Sequence, residues 1–262
     1  MNINLELYSY SDLRKISIDL GLEPKSTKKG IIADLKRIIR SSESHFGEYK
    51  TPQDISRSPL QRKKGCNYIG KYIVISQLGT RGKEGTTYKV KLQNKEYAMK
   101  TFKKNKSVRA LEREVLLQIR ASREGAAPEV VDYDTNLRYI VMPIMDTNLV
   151  EILRKQKNIL KVAQQRQIIS IFKKLDSAKV FHADSNFLNY MFLGDRLYMI
   201  DYGMSKEITN TLIDKLGTET PNLHIMTLGL VVKLKDMGLA SQSYSYLIRY
   251  LSKQQREEFH LD

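Results

Sequence analysis

The chain has 262 residues, which is enough for one fair-sized domain with an appendage or for two small domains. Hydrophobic residues make up 41% of it and charged residues 28%, so the composition excludes a largely disordered chain, a collagen-like repeat and a coiled-coil rod. The net charge of +15 suits nucleic acid, an anionic membrane surface or nucleotide phosphates, and does not choose among these partners.

We expect neither a membrane-spanning segment nor a secretory signal in this sequence. No stretch of about 18 apolar residues occurs, and the first residues lack a basic region followed by an apolar one. Cys66 is the only cysteine, so an intrachain disulfide and a cysteine-based zinc site are excluded. We therefore expect no membrane partner and a reducing compartment, the cytosol or the nucleus.

Two short helices are predicted within residues 1–46. The first begins at the N-cap candidate Ser11 and ends at Gly21. The second runs from about Lys29 to Ile39 and has isoleucines and leucine at helical spacing. The loop between the helices carries Lys25, Lys28 and Lys29.

This helical segment resembles the SAP family of small DNA-binding modules over residues 11–40. The likeness lies in the leucine-rich first helix, the turn Leu20-Gly21-Leu22 and the Lys-Gly entry to the second helix. It implies that the lysine loop and the start of the second helix meet DNA phosphates. A helical hairpin that binds protein, or that packs on the main domain, is the alternative, because residues 1–46 carry a net charge of only +2.

Residues 47–66 are interpreted as a linker, because they hold two prolines, scattered polar residues and no apolar period. Its basic run Gln61-Arg62-Lys63-Lys64 is a candidate nuclear address or nucleic-acid contact, and a solvated linker is the simpler explanation. Residues 67–262 carry +10 of the net charge. The predicted organisation is a helical module over 1–46, this linker, and a main domain over 67–262.

Three strands and a glycine-containing turn open the main domain. Alternation and β-branched residues predict strands over 68–76, 88–93 and 95–102 in a meander. Gly79, Gly82 and Gly85 lie between the first two strands, where glycines let the backbone fold closely over a polyphosphate. A glycine-containing hairpin without a ligand is the alternative.

The third strand carries Lys100, which faces inward in the predicted pattern. A buried ammonium group needs an anionic partner, because an unpaired charge there is costly. The helix predicted over 107–120 offers Glu112 and Glu114. Glu112 lies beside an apolar stripe at +3, +4 and +7, whereas Glu114 falls on a more exposed face. The sequence therefore predicts Glu112 as the partner of Lys100.

Three further polar residues stand in apolar surroundings at predicted junctions. After a strand and apolar connection over 139–146, a helix over 164–180 leads into the segment from His182 to Asn189. A short hairpin then delivers Asp201. Burying Asp184, Asn189 and Asp201 has a cost that metal coordination or catalysis would offset.

The order of glycine loop, strand lysine, helix glutamate, His-x-Asp-x4-Asn and Asp-x-Gly resembles the eukaryotic-type protein kinase superfamily over about residues 68–230. Gly82-Lys83-Glu84-Gly85 and His182-Ala183-Asp184 look most like the small atypical RIO kinases and related compact kinases, including those of large DNA viruses. The resemblance implies an α+β, two-lobed kinase-like fold, preceded by the small helix-turn-helix, SAP-like module. The N-lobe would cover about 67–145 and a reduced C-lobe about 146–262.

The same resemblance implies ATP and Mg²⁺ as cofactors and a role for each motif residue. Asp184 would accept the proton of the substrate hydroxyl, and Lys100, oriented by Glu112, would bind the α- and β-phosphates. Asn189 and Asp201 would hold Mg²⁺. The residues assigned to the nucleotide are Gly79, Gly82, Gly85, Ala98, Lys100, Met142, Pro143 and Met145.

Several departures from the kinase pattern concern the substrate side. Asn186 replaces the catalytic-loop lysine of ordinary Ser/Thr kinases, Ala183 replaces the arginine that reads a phosphorylated activation loop, and His224 stands where an aspartate is usual. Only 38 residues follow His224. The leading hypothesis is a Ser/Thr protein kinase with a protein substrate. A pseudokinase or nucleic-acid-binding scaffold and a small-molecule kinase of the aminoglycoside or choline type are the alternatives.

Overall fold

The structure is a computed structural model that describes residues 27, 29–31, 33, 61–63, 66–79, 82 and 84–261. The chain divides into two units, Met1–Ser58 and Pro59–Asp262. In the first unit, residues 29–31 and 33 are helical, where the sequence predicts the second helix to begin. The Gly30 N–H donates to Thr27 Oγ1 over 3.2 Å, as expected at a helix start. The rest of the predicted SAP-like module lies outside the described residues.

The second unit opens with a curled, seven-stranded antiparallel sheet in the order β1-β2-β3-β4-β5-β7-β6. A register shift between Val74 and Ser76 interrupts the β3–β4 pairing. The strands are β1 (Gln61–Lys63), β2 (Cys66–Ile69), β3 (Tyr72–Leu78), β4 (Gly85–Leu92), β5 (Lys95–Phe102), β6 (Asp132–Asp134) and β7 (Tyr139–Met142).

Two predictions for this sheet are wrong in detail. The segment predicted as one strand over 68–76 is a hairpin, because Gly70 adopts a φ of 56° and reverses the chain between β2 and β3. The predicted linker over 47–66 does not extend to its C-terminal end, because Gln61–Lys63 pairs with β2. Part of the basic run therefore belongs to the edge of the sheet.

Helix α1 (Val108–Arg123) packs its apolar stripe on the sheet. The Ser107 side chain accepts the Ala110 N–H and caps the helix start. Periodic apolar residues of α1 then meet those of β5 and β7, which removes both surfaces from water. The buried cluster consists of Ala98, Phe102, Leu111, Val115, Ile140 and Met142.

The rest of the unit is mainly helical, with α2 (Leu149–Lys155), α3 (Val162–Ser177), α4 (Asn210–Leu216), α5 (Thr227–Asp236) and α6 (Lys253–Glu258). Strands β8 (Thr147–Asn148), β10 (Tyr190–Leu193) and β11 (Arg196–Met199) form one small sheet, and β9 (Val180–Phe181) and β12 (Lys206–Glu207) form another. Helix α3 buries Ile168, Phe172 and Leu175 in the largest core cluster. None of the helices in the described part of the chain is long and apolar enough to span a membrane.

This arrangement fixes the two segments that carry the predicted catalytic motifs. Residues 182–189 lie between β9 and β10, and residues 200–205 lie between β11 and β12. Tyr190, Met199 and Tyr202 at their ends are all buried in the core around α3. The mixed architecture, a curled antiparallel sheet followed by a mainly helical part, is compatible with the predicted α+β kinase-like fold.

Candidate active site

Lys100 lies in the middle of the sheet, where its ammonium group contacts two carboxylates. Its Nζ is 2.7 Å from Glu114 Oε1 and 2.6 Å from Asp201 Oδ1. Strand β5 pairs with β4 on one side and with β7 on the other, so the backbone of Lys100 is held on both edges. Burial opposes the charged amine, but the two carboxylates outweigh it and raise the pKa of Lys100 above its ordinary value. Lys100 is therefore a firmly held cation.

The prediction that Glu112 pairs with Lys100 is wrong. Glu112 is exposed, whereas the side chain of Glu114 is 2% exposed and contacts Lys100 directly. The prediction rested on an apolar stripe that included Leu116, which the structure leaves 59% exposed. The buried face of α1 instead follows Leu111, Glu114, Val115 and Gln118. A carboxylate inside that stripe is the signal that could have identified Glu114.

Lys106 extends the ion pair into a chain of alternating charges. Its Nζ is 2.5 Å from Glu114 Oε2 and 2.6 Å from Glu84 Oε2. Glu114 therefore divides its two oxygens between two lysines. The carboxylates of Glu84, Glu114 and Asp201 lie within 4.8 Å of one another, and the ammonium groups between them offset their repulsion. The sequence prediction missed Lys106, because nothing in the pattern distinguishes it from its lysine neighbours.

The glycine loop folds towards this charge chain. Gly82 N–H donates to Gly85 O over 2.9 Å, and Lys103 N–H donates to Glu84 O over 2.8 Å. A Cβ at Gly85 would lie 1.7 Å from Thr101 O, so only glycine fits there. A Cβ at Gly203 would lie 2.6 Å from Glu84 Oε2. The loop thus places the Glu84 carboxylate against the Asp-x-Gly segment.

The predicted nucleotide residues Gly79, Ala98, Met142, Pro143 and Met145 lie along adjoining strands. Gly79 follows β3 with a φ of 66°, and Ala98 of β5 is paired with Met142 of β7. Both paired residues are buried, and Pro143 and Met145 follow β7 as half-buried residues. Ala98 and Met142 belong to one apolar cluster, against which Leu78, the residue before Gly79, also packs.

Asp184 and Asn189 contact each other in the loop after β9. Asn189 Nδ2 donates to Asp184 Oδ2 over 2.8 Å, and the Asn186 N–H donates to Asp184 Oδ1 over 3.0 Å. The Ile200 N–H donates to Asn189 O over 2.9 Å, which ties this loop to the residue before Asp201. The structure therefore joins Asp184 and Asn189 directly and links them to Asp201 through the backbone.

Asp201 has a left-handed backbone, with φ 67° and ψ 75°. Non-glycine residues adopt this conformation rarely, and surrounding contacts must hold it. Burial acts to raise the pKa of Asp201, but the positive charge and hydrogen bond of Lys100 outweigh it and lower the pKa below its ordinary value. Asp201 is therefore an anion, which is the state that a metal ligand needs.

The donor atoms at this site fit Mg²⁺, which prefers oxygen ligands. Asp201 offers a carboxylate and Asn189 an amide oxygen. Within the described residues no hydrogen bond uses Asn189 Oδ1, because the contact to Asp184 goes through Nδ2. The two predicted metal ligands therefore keep suitable oxygen atoms.

His182 is a buried, neutral support of the loop. Its Nε2 is 3.1 Å from the Ile200 carbonyl oxygen, and its ring meets the Tyr202 ring edge-on with centroids 4.9 Å apart. Burial lowers the pKa of His182 below its ordinary value, against the opposing effect of the nearby Asp184 and Asp201. The neutral ring donates its Nε2–H to the carbonyl and so links the two motif segments.

Asn222, and not His224, holds the segment from His182 to Asn189 by a hydrogen bond to its first residue. The His182 N–H donates to Asn222 Oδ1 over 2.9 Å, and Asn222 Nδ2 donates to Asp176 Oδ1 over 2.7 Å. His224 Nδ1 lies 2.9 Å from Thr218 Oγ1 instead. Residues Asn222–Met226 form a π-helical turn, which changes the residue that faces the loop. His224, which stands where the kinase pattern has an aspartate, therefore does not contact the loop, and Asn222 supplies the supporting hydrogen bond.

Comparison with known proteins shows a distant similarity to a protein kinase and no finer identification. A scan against models of known protein families finds no match. The chain is similar to the serine/threonine-protein kinase MPS1 of Encephalitozoon cuniculi (strain GB-M1), with 26% identity over 154 residues. The match covers 56% of this chain and 26% of that kinase. This similarity supports a protein-kinase-like chain at the level of the superfamily and suggests phosphotransfer in general.

Proposed function

We propose that the protein is an ATP- and Mg²⁺-dependent Ser/Thr protein kinase that transfers the γ-phosphoryl group of ATP to a protein hydroxyl. The observation that carries the proposal is the chain of contacts joining Asp201 to Lys100 and Lys100 to Glu114, each through a distance of 2.7 Å or less. A protein that only binds a partner has no need of such a set beside the glycine loop.

Lys100 is the residue that would neutralise the α- and β-phosphates, with Glu114 in the orienting role first assigned to Glu112. Because Glu114 is itself held by Lys106, its carboxylate cannot turn away from Lys100 without losing a second ion pair. The glycine loop would cover the phosphates with its N–H groups. Adenine would lie along Ala98 and Met142 and meet the backbone at Pro143 and Met145.

Asn189 and Asp201 would hold Mg²⁺, which neutralises phosphate charge when it is bound. Asn189 is ordered by its hydrogen bond to Asp184, and Asp201 by its ion pair with Lys100. These contacts fix the ligand atoms before a nucleotide arrives, so little reorganisation is required on binding.

Asp184 is the proposed proton acceptor for the substrate hydroxyl. Hydrogen bonds from the Asn186 N–H and from Asn189 Nδ2 reach different carboxylate oxygens and orient the group. Each oxygen has a second lone pair that can accept the hydroxyl proton. Catalysis would then depend mainly on this positioning and on neutralisation of phosphate charge.

Two rival functions remain as alternatives. A pseudokinase or nucleic-acid-binding scaffold would not depend on Lys100, Glu114, Asp184, Asn189 and Asp201 together. A small-molecule kinase of the aminoglycoside or choline type would use similar motifs with a small-molecule acceptor. A tether to DNA through residues 11–40 and the basic run is a further proposal, supported by the SAP-like sequence pattern.

The test is incubation of the full chain with γ-labelled ATP and Mg²⁺, with and without a generic basic protein, beside the Asp184→Asn variant. We expect label on serine or threonine of the added protein or of the chain itself, reduced about 100-fold or more in the variant. Label on a small molecule would favour the aminoglycoside or choline type. Nucleotide binding without transfer would favour the pseudokinase.

A further inference from the structure

Helix α3 presents positive charge that the rest of the described chain does not neutralise. Its basic residues are Arg166, Lys173 and Lys174, and its single acidic residue, Asp176, is buried. Asp176 accepts N–H groups of Asn222 and Leu223 and so faces away from solvent. None of the three cations forms an ion pair within the described residues, although exposed acids are available elsewhere on the chain.

Tyrosine rings hold the cations on one side of α3. The guanidinium groups of Arg166 and Arg249 each lie 5.5 Å from the centre of the Tyr246 ring. Lys173 Nζ lies 5.2 Å from the centre of the Tyr250 ring, and the two tyrosine hydroxyls are 3.1 Å apart. Contact with an aromatic face orients a cation without cancelling its charge. Two guanidinium groups on one ring repel each other, and a bound anion would relieve that repulsion.

A second pair of cations meets on the neighbouring face of α3, because Lys174 follows Lys173 and lies about 100° further round the helix. A Cβ at Gly125, where φ is 70°, would lie 2.5 Å from Arg196 Nη2 and 3.6 Å from Lys174 Nζ. These two nitrogen atoms are therefore no more than 6.1 Å apart, the sum of those distances. They line a cavity of about 430 Å³ whose lining includes Gln167, Ser170 and Asp195. Arg196 also lies 5.2 Å from the centre of the Tyr198 ring.

We infer that these two clusters form one binding face for the phosphodiester backbone of a nucleic acid. The face, called the cation–tyrosine face here, consists of Arg166, Lys173, Lys174, Arg196, Arg249, Tyr198, Tyr246 and Tyr250. It uses no residue of the proposed active site, so the inference does not depend on the proposed kinase activity.

The chemistry of the face favours a nucleic acid over an acidic protein. Three of its five cations are arginines, whose planar forks match phosphate oxygens better than lysine does. Arg166 and Lys173 are seven residues apart on α3, a rise of about 10 Å, so they can contact different phosphates of one strand. A strand that carries one charge per nucleotide offers these cations repeated phosphates, whereas carboxylates are scattered along a peptide.

The test uses the full chain and a fluorescein-labelled 20-nucleotide single strand, titrated by fluorescence anisotropy at several salt concentrations. One variant carries Arg166→Gln, Lys173→Gln and Arg249→Gln, and a second carries Lys174→Gln and Arg196→Gln. The charge-matched control carries Lys91→Gln, Lys95→Gln and Lys104→Gln, three lysines of the sheet side that form no ion pair within the described residues.

Each phosphate contact on a single strand contributes about 0.7 to the salt slope, so we expect the triple variant to lower the slope by about 2. At 0.1 M salt this corresponds to an affinity about 100-fold weaker. The double variant should lower the slope by about 1.4. The control should keep the slope and lose less than about threefold in affinity. Any contribution of residues 11–40 is equal in all four proteins and cancels from the differences.

Each contrary result overturns the inference. An equal loss in the control would show that only net charge matters. Displacement of the oligonucleotide by polyglutamate at equal charge concentration would identify an acidic protein as the partner class. Absence of binding by the unchanged chain at 50 mM salt would remove the face as a site altogether. Thermal melting checks the fold, and because the two variants alter separate clusters, the one that remains folded decides the outcome.

Discussion

Replacing Glu114 with Gln removes the negative charge at the centre of the site while keeping the shape of the side chain. The carboxylate is 2% exposed and holds Lys100 at 2.7 Å and Lys106 at 2.5 Å. After the change, the ammonium groups of Lys100 and Lys106, 15% and 9% exposed, keep Asp201 at 2.6 Å and Glu84 at 2.6 Å, respectively, and Glu84 also lies 4.0 Å from Lys100. Breaking a buried ion pair costs about 3–5 kcal/mol, and the remaining partners place the expected loss at the lower end, about 3 kcal/mol.

Glu112→Gln is the matched control, because it makes the same chemical change two residues away on an exposed position of α1. We expect it to change the free energy of unfolding by less than about 0.5 kcal/mol. Urea unfolding at pH 7.5 measures both variants. Thermal melting should show a decrease of about 6–12 °C for Glu114→Gln.

The same pair of variants separates the two assignments of the orienting glutamate. Phosphotransfer should fall in folded Glu114→Gln and stay at the wild-type rate in Glu112→Gln. Equal, small effects on stability, or a larger loss of transfer in Glu112→Gln, would refute the reasoning about the buried stripe of α1.

Three further predictions concern the residues around this centre. Lys106→Met should raise the KM for ATP about 10-fold, because Glu84 of the glycine loop loses its ion pair with Lys106. The exposed control Lys104→Met should leave the KM unchanged, and equal KM values for the two variants would contradict this role of Lys106. The pKa of His182 lies below its ordinary 6.5, so the unfolded chain takes up that proton first and stability falls as the pH drops below about 6.5. Between pH 7.5 and 5.5, the free energy of unfolding measured with urea should fall less steeply in His182→Phe than in the wild-type chain, by up to about 1.4 kcal/mol per pH unit. Parallel profiles would show that His182 is not the cause. Asn222→Ala should cost about 3 kcal/mol, because it leaves the buried His182 N–H without its acceptor and removes one of the hydrogen bonds to Asp176. His224→Ala should cost less than about 1 kcal/mol, and similar denaturation midpoints for the two variants would contradict the supporting role of Asn222.

Long periodic segments made much of the fold predictable. Strands β4 and β5 and helices α1 and α3 appear where their alternation or helical spacing indicates, because each has one face that must leave water. The hairpin at Gly70 was merged into one strand, since a two-residue turn barely interrupts the alternation. Strand β1 is polar and basic, and only pairing with β2 defines it, so its sequence indicates a linker.

The motif residues of the candidate site were also predictable, whereas their contacts were not. Lys100, Asp184, Asn189 and Asp201 stand out because polar residues interrupt apolar segments. The choice between Glu112 and Glu114 depends on which face of α1 packs against the sheet. The two residues are only two positions apart, and the structure buries the face that contains Glu114. Lys106, Glu84 and Asn222 come from separate parts of the chain, and their roles follow only from their position in space.

The most direct test of the proposed kinase activity is the transfer of label from γ-labelled ATP in the presence of Mg²⁺, with Lys100→Met and Asp184→Asn as the paired variants. Proton acceptance by Asp184 and phosphate binding by Lys100 are separate steps, so the two variants should differ in nucleotide binding while both lose transfer. The account predicts label on protein serine or threonine with the wild-type chain, weak nucleotide binding in Lys100→Met, and retained binding without transfer in Asp184→Asn. Transfer at the wild-type rate in either variant, shown to be folded, would contradict it.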